Sequence, residues 1–234
     1  MSVQSLLLIS AAVMLAAFVQ GATGVGFALI VAPVVGLFEP RLLPVCLLAL
    51  MVPLNLYVLW RERSRVDRSG AGWITAGRLA GTAGGLWVLV ALSPGQLSAF
   101  VGVATLAAAL ASLLAPAFTP ARPAYLASGL VTGITETATG IGGPPLALVY
   151  QHQPPPVMRS TVALCFLVGE LVSLAVLGAT HQVQAQHLTA AMQLLPPLLG
   201  VLLSRAVHHR IDTRVLRGFV LVFAIVSGVV LLLR

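Results

Sequence analysis

The pentapeptide Ala-Thr-Gly-Val-Gly at residues 22–26 returns as Ala-Thr-Gly-Ile-Gly at residues 138–142, about half of the 234-residue chain later. Each copy interrupts a long apolar stretch of the sequence. A polar, helix-breaking segment is costly at membrane depth unless it lines a site, and paired breaks in two related halves are typical of transporters. The repeat therefore predicts two versions of one membrane module, each with its own Thr/Gly break.

The composition places the whole chain in a membrane. It is 59% hydrophobic and 8% charged, whereas about a quarter of the residues in a soluble domain are charged. No GxxxxGK[ST] motif occurs in the sequence, which excludes an ATP-driven pump within it. All 13 basic residues are arginines, most of them in short loops, a pattern typical of cytoplasmic loops rather than of nucleic-acid binding.

Apolar runs of about 20 residues divide the chain into eight segments. We expect an all-α polytopic membrane protein with two inverted repeats of four helical segments, 1–116 and 117–234, which together form one transmembrane domain. The first segment of each repeat is expected to be broken or re-entrant. The segments are 3–38 (broken at 20–26), 42–60, 72–92, 96–115, 124–153 (broken at 137–145), 160–180, 186–207 and 213–233.

The arginines decide the predicted orientation. If every segment crossed once, the arginine-rich loops 61–72 and 205–217 would lie on opposite faces of the membrane. If segments 1 and 5 enter and return on one side, both loops become cytoplasmic, and 11 of the 13 arginines lie inside. We therefore expect a multi-pass membrane protein in which both of these loops are cytoplasmic. If each broken segment instead crossed the membrane twice in an extended form, the loops would lie on the same sides as with re-entrant segments, so that variant stays open.

The breaks are predicted to bind an anion. Pro144 and Pro145 suit the first turn of a new half-helix beginning near Gly143, and the equivalent start in the first copy lies near Gly26 and Phe27. A helix N-terminus presents free N–H groups and a positive dipole end, and threonine hydroxyls add further donors. The candidate substrate-binding residues are Gln20, Thr23, Gly24, Gly26, Phe27, Thr137, Thr139, Gly140, Gly142, Gly143 and Pro144.

Two acids and one arginine within the apolar segments are further candidates. Glu136 and Glu170 are predicted coupling residues, because intramembrane carboxylates are functional candidates by default. Glu136 is either a proton carrier or an acceptor of structural hydrogen bonds from the backbone or Arg78. Arg78 either snorkels to the cytoplasmic face or contacts the anion. Asn55 is expected to form a hydrogen bond across helices.

The remaining polar and small residues are expected to be structural. Gly77, Gly81 and Gly85 have the spacing of a helix-packing face, and the two cysteines, Cys46 and Cys165, are expected to be small core residues. No metal site, cofactor or catalytic residue is predicted. The histidines lack metal-ligand spacing; they are His152, His181 and His187 at segment ends and His208 and His209 in a basic loop.

The sequences Gly-Ala-Thr-Gly-Val-Gly-Phe at 21–27 and Thr-Gly-Ile-Gly-Gly-Pro-Pro-Leu at 139–146 resemble the sulfite exporter TauE/SafE family. The resemblance covers essentially the whole chain. It implies a bacterial cytoplasmic-membrane permease for small sulfur-containing or organic anions such as sulfite, sulfoacetate or other sulfonates. It also implies transport driven by the proton gradient or by the gradient of the anion itself. The first copy departs from the family, having Phe27-Ala28 where a further glycine is common.

Three functions follow as hypotheses. The first is a secondary transporter of small anions that works by alternating access, with a small anion and the lipid bilayer as partners and with a co-transported proton and a homodimer left open. The second is a cation or proton transporter that uses Glu136 and Glu170. The third is an intramembrane enzyme, for which Thr139 or Ser160 with His152 is the best available arrangement. We expect the chain not to be an enzyme.

Overall fold

The structure is a computed structural model that describes residues 1–62, 66–114, 120–207 and 213–233; the side chains of 94, 205–207, 213, 214 and 217 are not described. Parts of both predicted arginine-rich loops, 63–65 and 208–212, therefore lie outside the described residues, as do His208 and His209. Within the described ranges every regular element is helical. The all-α prediction is confirmed for this part of the chain.

The helices follow the predicted segments closely. Short 3₁₀ turns at Pro40–Leu42 and Pro196–Leu199 complete the described elements. The α-helices are α1 (Val3–Thr23), α2 (Phe27–Phe38), α3 (Val45–Glu62), α4 (Arg68–Ala91), α5 (Pro94–Leu114), α6 (Arg122–Thr139), α7 (Gly143–Tyr150), α8 (Pro155–Ala179), α9 (Ala185–Leu194), α10 (Gly200–Val207) and α11 (Thr213–Leu232).

Six helical stretches are long and apolar enough to cross a membrane. Large apolar side chains also cover the outside of the fold; Trp87, for example, is 71% exposed. Such side chains contact lipid when the protein is in a bilayer, so the chain is a multi-pass membrane protein. The six stretches, judged by length and composition, are Val3–Thr23, Val45–Glu62, Arg68–Ala91, Gly95–Leu114, Pro155–Ala179 and Ala185–Ser204.

Both broken segments consist of a longer helix followed by a shorter one. In the first segment α1 has 21 residues and α2 has 12, or about 32 Å and 18 Å at ~1.5 Å per residue. In the second segment α6 has 18 residues and α7 only 8, or about 27 Å and 12 Å. The predicted half-helix starts at Phe27 and Gly143 are confirmed. Neither α2 nor α7 is long enough to cross a core of about 30 Å.

The seventh predicted segment, 186–207, contains a break that was not predicted. It is interrupted by the 3₁₀ turn at Pro196–Leu199, between α9 and α10. Pro196 and Pro197 have no N–H, so they cannot continue the hydrogen bonding of α9, and the chain tightens into a 3₁₀ turn there. The proline pair is visible in the sequence, but only segments 1 and 5 were predicted to be broken.

Glycines hold α4 and α6 against each other. A Cβ atom on Gly77 or Gly81 of α4 would overlap the backbone of α6, and one on Gly129 or Gly133 of α6 would overlap the backbone of α4. This close approach is the small-xxx-small packing predicted for the α4 glycines, and it is confirmed. It also sets the depth at which Arg78 of α4 meets α6.

The core lies between the two halves of the chain. The most extensive helix pairs each join one helix from the first half to one from the second: α3 with α8, α4 with α6, α5 with α11 and α1 with α10. One continuous set of buried apolar side chains runs through these contacts. The two breaks therefore end in the interior of a single packed body.

Candidate functional site

The two Thr/Gly breaks have the same local geometry. Gly24 and Gly140 end their helices in the left-handed region, with φ of +87° and +83°. Their N–H groups donate to the carbonyl oxygens of Gln20 and Glu136, each at 2.7 Å. A residue with a Cβ is disfavoured in this conformation, so glycine is required at the same point in both copies.

The threonines of the motif close these turns. The Thr23 hydroxyl lies 2.9 Å from the Val19 carbonyl oxygen and accepts from the Val25 N–H at 3.3 Å. The Thr139 hydroxyl donates to the Thr135 carbonyl at 2.7 Å and accepts from the N–H two residues ahead at 3.1 Å. Both hydroxyls thus satisfy backbone groups that the helix breaks would leave free. Their predicted role as substrate donors competes with this structural one.

The two breaks meet in the interior. The Val25 Cβ lies 3.8 Å from the position that a Cβ would take on Gly143. Between the breaks is a small cavity of about 10 Å³, whose lining includes Gln20, Gly26, Gly143 and Phe166. That volume corresponds to about one water molecule. The two copies of the motif are thus adjacent in the described structure.

A larger cavity of about 260 Å³ adjoins the first break and the start of α7. Gly26 lines both cavities, so the small one lies at the edge of the large one. A single water needs about 10–15 Å³ on this measure, so the large cavity has room for a multi-atom ligand. The residues that line it are Ala22, Thr23, Val25, Gly26, Leu29, Ser112, Pro144, Ala147, Leu148, Gln151, Gln153, Pro155, Met158, Arg159, Val220 and Leu221.

Arg159, the fifth residue of α8, supplies the positive charge in this lining. Its Cγ packs against Gly24, where a Cβ would lie only 2.6 Å away, and its Nε donates to Glu62 Oε1 at 2.8 Å. From the sequence, Arg159 is predicted only to be a cytoplasmic arginine, and its place beside the cavity was missed. The shortness of the segment after the second break was the available signal, because it keeps the start of α8 close to the breaks.

A second arginine reaches the first break from α3. Arg61 donates to the Gly21 carbonyl oxygen at 3.0 Å and to Glu62 Oε1 at 2.9 Å. Glu62 therefore accepts from both arginines through one oxygen, while its other oxygen is buried without a partner in the described part of the chain. Two guanidinium groups share one carboxylate beside the cavity, which leaves an excess of positive charge there.

Arg78 lies deep in the helix bundle rather than at a face of it. Its side chain is 2% exposed, it forms an ion pair with Glu136, and it donates to the Cys165 carbonyl at 2.9 Å. The snorkelling interpretation is therefore wrong, since the close α4–α6 packing turns this side chain inward. Glu136 does accept the structural hydrogen bond from Arg78 that was one of its two predicted roles. Arg78 lines neither cavity, and its contact with the anion stays a prediction.

A chain of hydrogen bonds joins Glu170 to the first break. Asn55 donates to Glu170 Oε1 at 2.7 Å and accepts from the Gln20 amide at 2.9 Å. Gln20 Oε1 in turn accepts from the N–H of Phe27, the first residue of α2, at 3.1 Å. The prediction that Asn55 bonds across helices is confirmed. Glu170 belongs to the same polar core as the breaks, although it lines neither cavity.

The other candidate residues divide by position. Gln20, Thr23, Gly26, Gly143 and Pro144 line one cavity or both. The remainder pack around the breaks without lining a cavity. Among these, the Thr137 hydroxyl is 2.8 Å from that of Ser173, the Gly142 carbonyl accepts from Thr132 at 3.1 Å, and Gly24, Phe27, Thr139 and Gly140 are buried in the turns and helix ends.

The hydroxyls considered for catalysis have other partners. Ser160 donates to the Val157 carbonyl at 3.3 Å and Thr139 to the Thr135 carbonyl.

The histidine and cysteine side chains have structural surroundings. The His187 ring accepts the Gln184 N–H at Nδ1, and its Nε2 lies 2.8 Å from the Arg41 carbonyl oxygen. Within the described residues no three His, Cys, Asp or Glu side chains form a group that could hold a metal ion. Cys46 and Cys165 are both buried free thiols.

Comparison with known families agrees with this arrangement. The model of the family described as Sulfite exporter TauE/SafE matches residues 9–231, nearly the whole chain. No curated protein and no solved structure gives a match. The matched region contains both breaks, both cavities and the buried Arg78–Glu136 pair. The chain belongs to the TauE/SafE sulfite exporter family of membrane transporters.

Proposed function

We propose that the protein is a secondary transporter, a permease or exporter, that carries small sulfur-containing or organic anions, such as sulfite, sulfoacetate or other sulfonates, across the bacterial cytoplasmic membrane. One observation carries this proposal beyond the family. The cavity of about 260 Å³ brings together the first break, the start of α7 and the guanidinium of Arg159. Backbone approach, a helix start and a fixed cation are the elements of a small-anion site.

Arg159 is proposed as the main recognition group. Helix α7 begins with Gly143, and the next two residues, Pro144 and Pro145, have no N–H to offer. The α7 start therefore attracts an anion through its dipole more than through a set of donors. A planar guanidinium matches the oxygens of a sulfite or sulfonate group in two-pronged fashion, so Arg159 supplies the donors that the prolines remove.

Glu62 is proposed as the counter-ion of Arg159 when substrate is absent. Its Oε1 accepts from both Arg159 and Arg61. An arriving anion competes with this carboxylate for the same guanidinium. Binding then exchanges an internal ion pair for a substrate ion pair, which keeps the affinity moderate and the release of substrate fast.

We propose that the two halves, 1–116 and 117–234, are inverted repeats that move against each other. The helix pairs support this, because exchanging the halves maps the α1–α10 pair onto the α6–α4 pair and maps the α3–α8 and α5–α11 pairs onto themselves. Alternating access then follows from rocking one half about the shared core. Re-entrant broken segments, cytoplasmic loops 61–72 and 205–217, a coupled proton and a homodimer are further parts of the proposal.

Counterflow in proteoliposomes tests the function. We expect saturable uptake of radiolabelled sulfite or sulfoacetate into anion-loaded vesicles, and an increase in KM of about tenfold or more for Arg159→Gln, equivalent to losing one charge-assisted bond. Arg41→Gln is the matched control, because Arg41 is exposed and contributes its backbone carbonyl to the described contacts. Absence of saturable flux across the anion panel, or wild-type kinetics in Arg159→Gln, contradicts the proposal.

A cation or proton transporter is the second candidate, favoured by one observation. Glu136 and Glu170 are both fully buried, with Arg78 as the arginine paired to the first of them. Under this alternative, the same vesicles would show saturable flux that follows a cation gradient and is indifferent to the anion. The excess of arginine over carboxylate beside the large cavity favours the anion transporter.

A further inference from the structure

We infer that Glu170 is the binding site for the coupled proton, and that Asn55 and Gln20 transmit its protonation to the start of α2 between the two breaks. The inference rests on the proposed transport function. The sequence offers Glu136 and Glu170 equally as coupling residues. The inference assigns Glu136 to the structural ion pair with Arg78 and assigns proton binding to Glu170. It also assigns a role to a hydrogen-bonded chain that spans four helices, α8, α3, α1 and α2.

The charge balance of the buried core singles out Glu170. Arg78 forms its ion pair with Glu136 and uses a second nitrogen on the Cys165 carbonyl. Glu170 is 0% exposed, its Oε1 accepts only from a neutral amide, and its Oε2 has no partner within the described residues. A buried carboxylate without a counter-charge is costly, and binding a proton removes that cost.

The titratable groups around Glu170 are few. Within the described residues, Arg78 of α4 and Glu136 of α6 are the charged groups that face it, and α3 faces it with the neutral Asn55. Helix α7 also packs on α8. Its one titratable side chain, Tyr150, donates at 3.0 Å to Asp67, the N-cap residue of α4, and so is engaged elsewhere. Because Arg78 already balances Glu136, a proton on Glu170 makes the cluster neutral.

The chain from Glu170 to α2 is continuous. Each link is short: 2.7 Å from Asn55 to Glu170, 2.9 Å from Gln20 to Asn55 and 3.1 Å from the Phe27 N–H to Gln20. All four residues are buried. Gln20 lines the small cavity together with Gly26, which also lines the large one. The chain therefore ends where the proposed anion site begins.

Protonation reverses the direction of these bonds. Ionised Glu170 accepts from the Asn55 NH₂ group through Oε1. A buried O–H needs an acceptor, and Oε2 has no partner within the described residues, so the proton lies on Oε1, where it donates to the Asn55 oxygen. Rotating the Asn55 amide presents its NH₂ to Gln20, and Gln20 must then turn its oxygen towards Asn55. The Phe27 N–H thereby loses its acceptor, and the Gln20 NH₂ turns towards the break. Two donors become available to an anion.

This exchange couples the proton to the anion. The proton forms one O–H bond on Glu170 when it binds and returns to water when it leaves, and no other bond is made or broken. Donors freed by protonation favour anion binding, so by linkage a bound anion favours protonation to the same extent. The anion and the proton therefore cross the membrane together. The hydrogen bonding of the Phe27 N–H at the start of α2 depends on whether Glu170 is protonated.

The test compares Glu170→Gln with the wild type in proteoliposomes that contain a pH-sensitive dye. For the wild type we expect sulfite to move protons in the same direction and an imposed pH gradient to drive sulfite accumulation. In Glu170→Gln we expect anion exchange to persist and to lose its pH dependence, and gradient-driven accumulation to fall by about tenfold or more, a typical coupling strength. Glu39→Gln is the matched control, a carboxyl-to-amide change in the turn after α2, outside this cluster.

A second variant guards against a structural failure of the first. Asn55→Leu leaves Glu170 able to bind a proton and removes its link to Gln20 and α2, so anion exchange is expected to proceed without accompanying proton flux. Proton-coupled transport that survives in both variants overturns the inference. Wild-type anion flux with no proton movement also overturns it and leaves the transport function standing. Absence of anion flux in the wild type overturns the transport function itself.

Discussion

Arg159 is the residue on which the selectivity of the proposed site depends. It is held on two sides, since its stem packs on Gly24 and its Nε donates to Glu62. Buried or partly buried guanidiniums need such partners, because a lone charge in a low-dielectric setting is costly. Because Arg159 is already paired with Glu62 beside the cavity, a substrate anion displaces this carboxylate and does not bind an unpaired arginine.

We predict that Glu62→Gln lowers the KM for the transported anion. The amide no longer competes with substrate for Arg159 or Arg61, and a partly exposed ion pair is worth about 0–1 kcal/mol, so the expected decrease is up to about fivefold. Initial rates of counterflow over a range of anion concentrations measure it. Glu39→Gln serves as the control, and an increased KM in Glu62→Gln would show that the carboxylate positions the arginines for substrate.

At the scale of elements, the α4–α6 contact determines where the buried polar core is formed. Gly81 of α4 lies against the Leu130 carbonyl of α6, and Gly133 of α6 lies against the Arg78 carbonyl of α4. Packing in membranes depends on this close approach, because lipid provides no hydrophobic drive for helices to associate. The ion pair between Arg78 and Glu136 forms only at this separation.

We therefore predict that Gly81→Ala destabilises the protein by about 1–3 kcal/mol, the usual cost of overpacking. Its new methyl group meets backbone atoms of α6, which cannot rotate away. Gly72→Ala on the same helix is the matched control, since a Cβ there meets nothing within 4 Å. Thermal unfolding in detergent compares the two, and equal stability of both variants would contradict the packing account.

The helices also show which structural features can be predicted from local sequence and which cannot. The breaks and the starts of α2 and α7 were predictable, because Gly24, Gly140 and the Pro144-Pro145 pair act on their own backbone. The Pro196-Pro197 interruption carried the same kind of signal and was overlooked. Partners such as Arg159 with Glu62, or Asn55 with Glu170, join residues about 100 positions apart, and one sequence holds no local trace of such contacts.

At the scale of the whole molecule, the fold places one site between two halves. Each half contributes a break, and the most extensive helix pairs join one half to the other. The halves are unequal in their polar residues. Gln20 of the first break bonds to the start of α2, whereas Glu136 of the second is paired with Arg78. The two copies therefore share the same helix break, but their polar residues at the equivalent positions, Gln20 and Glu136, make different contacts.

The proposed topology predicts that residues 41 and 68 lie on opposite sides of the membrane. They flank α3, one of the six stretches able to cross. Single cysteines placed there in a background lacking Cys46 and Cys165 are expected to react with impermeant maleimide from opposite faces of oriented vesicles. Labelling of both from one face would contradict the arginine-based orientation.

The most direct test of the central claim is the location of a bound anion. Selenite is a heavier analogue of sulfite with strong anomalous scattering, so soaking it into crystals of the protein shows where an oxyanion binds. The account predicts one anomalous peak in the large cavity, between Gly26, Pro144 and the guanidinium of Arg159, and loss of that peak in Arg159→Gln. A peak elsewhere in the molecule, or none at saturating selenite, would contradict a site at the meeting of the two breaks.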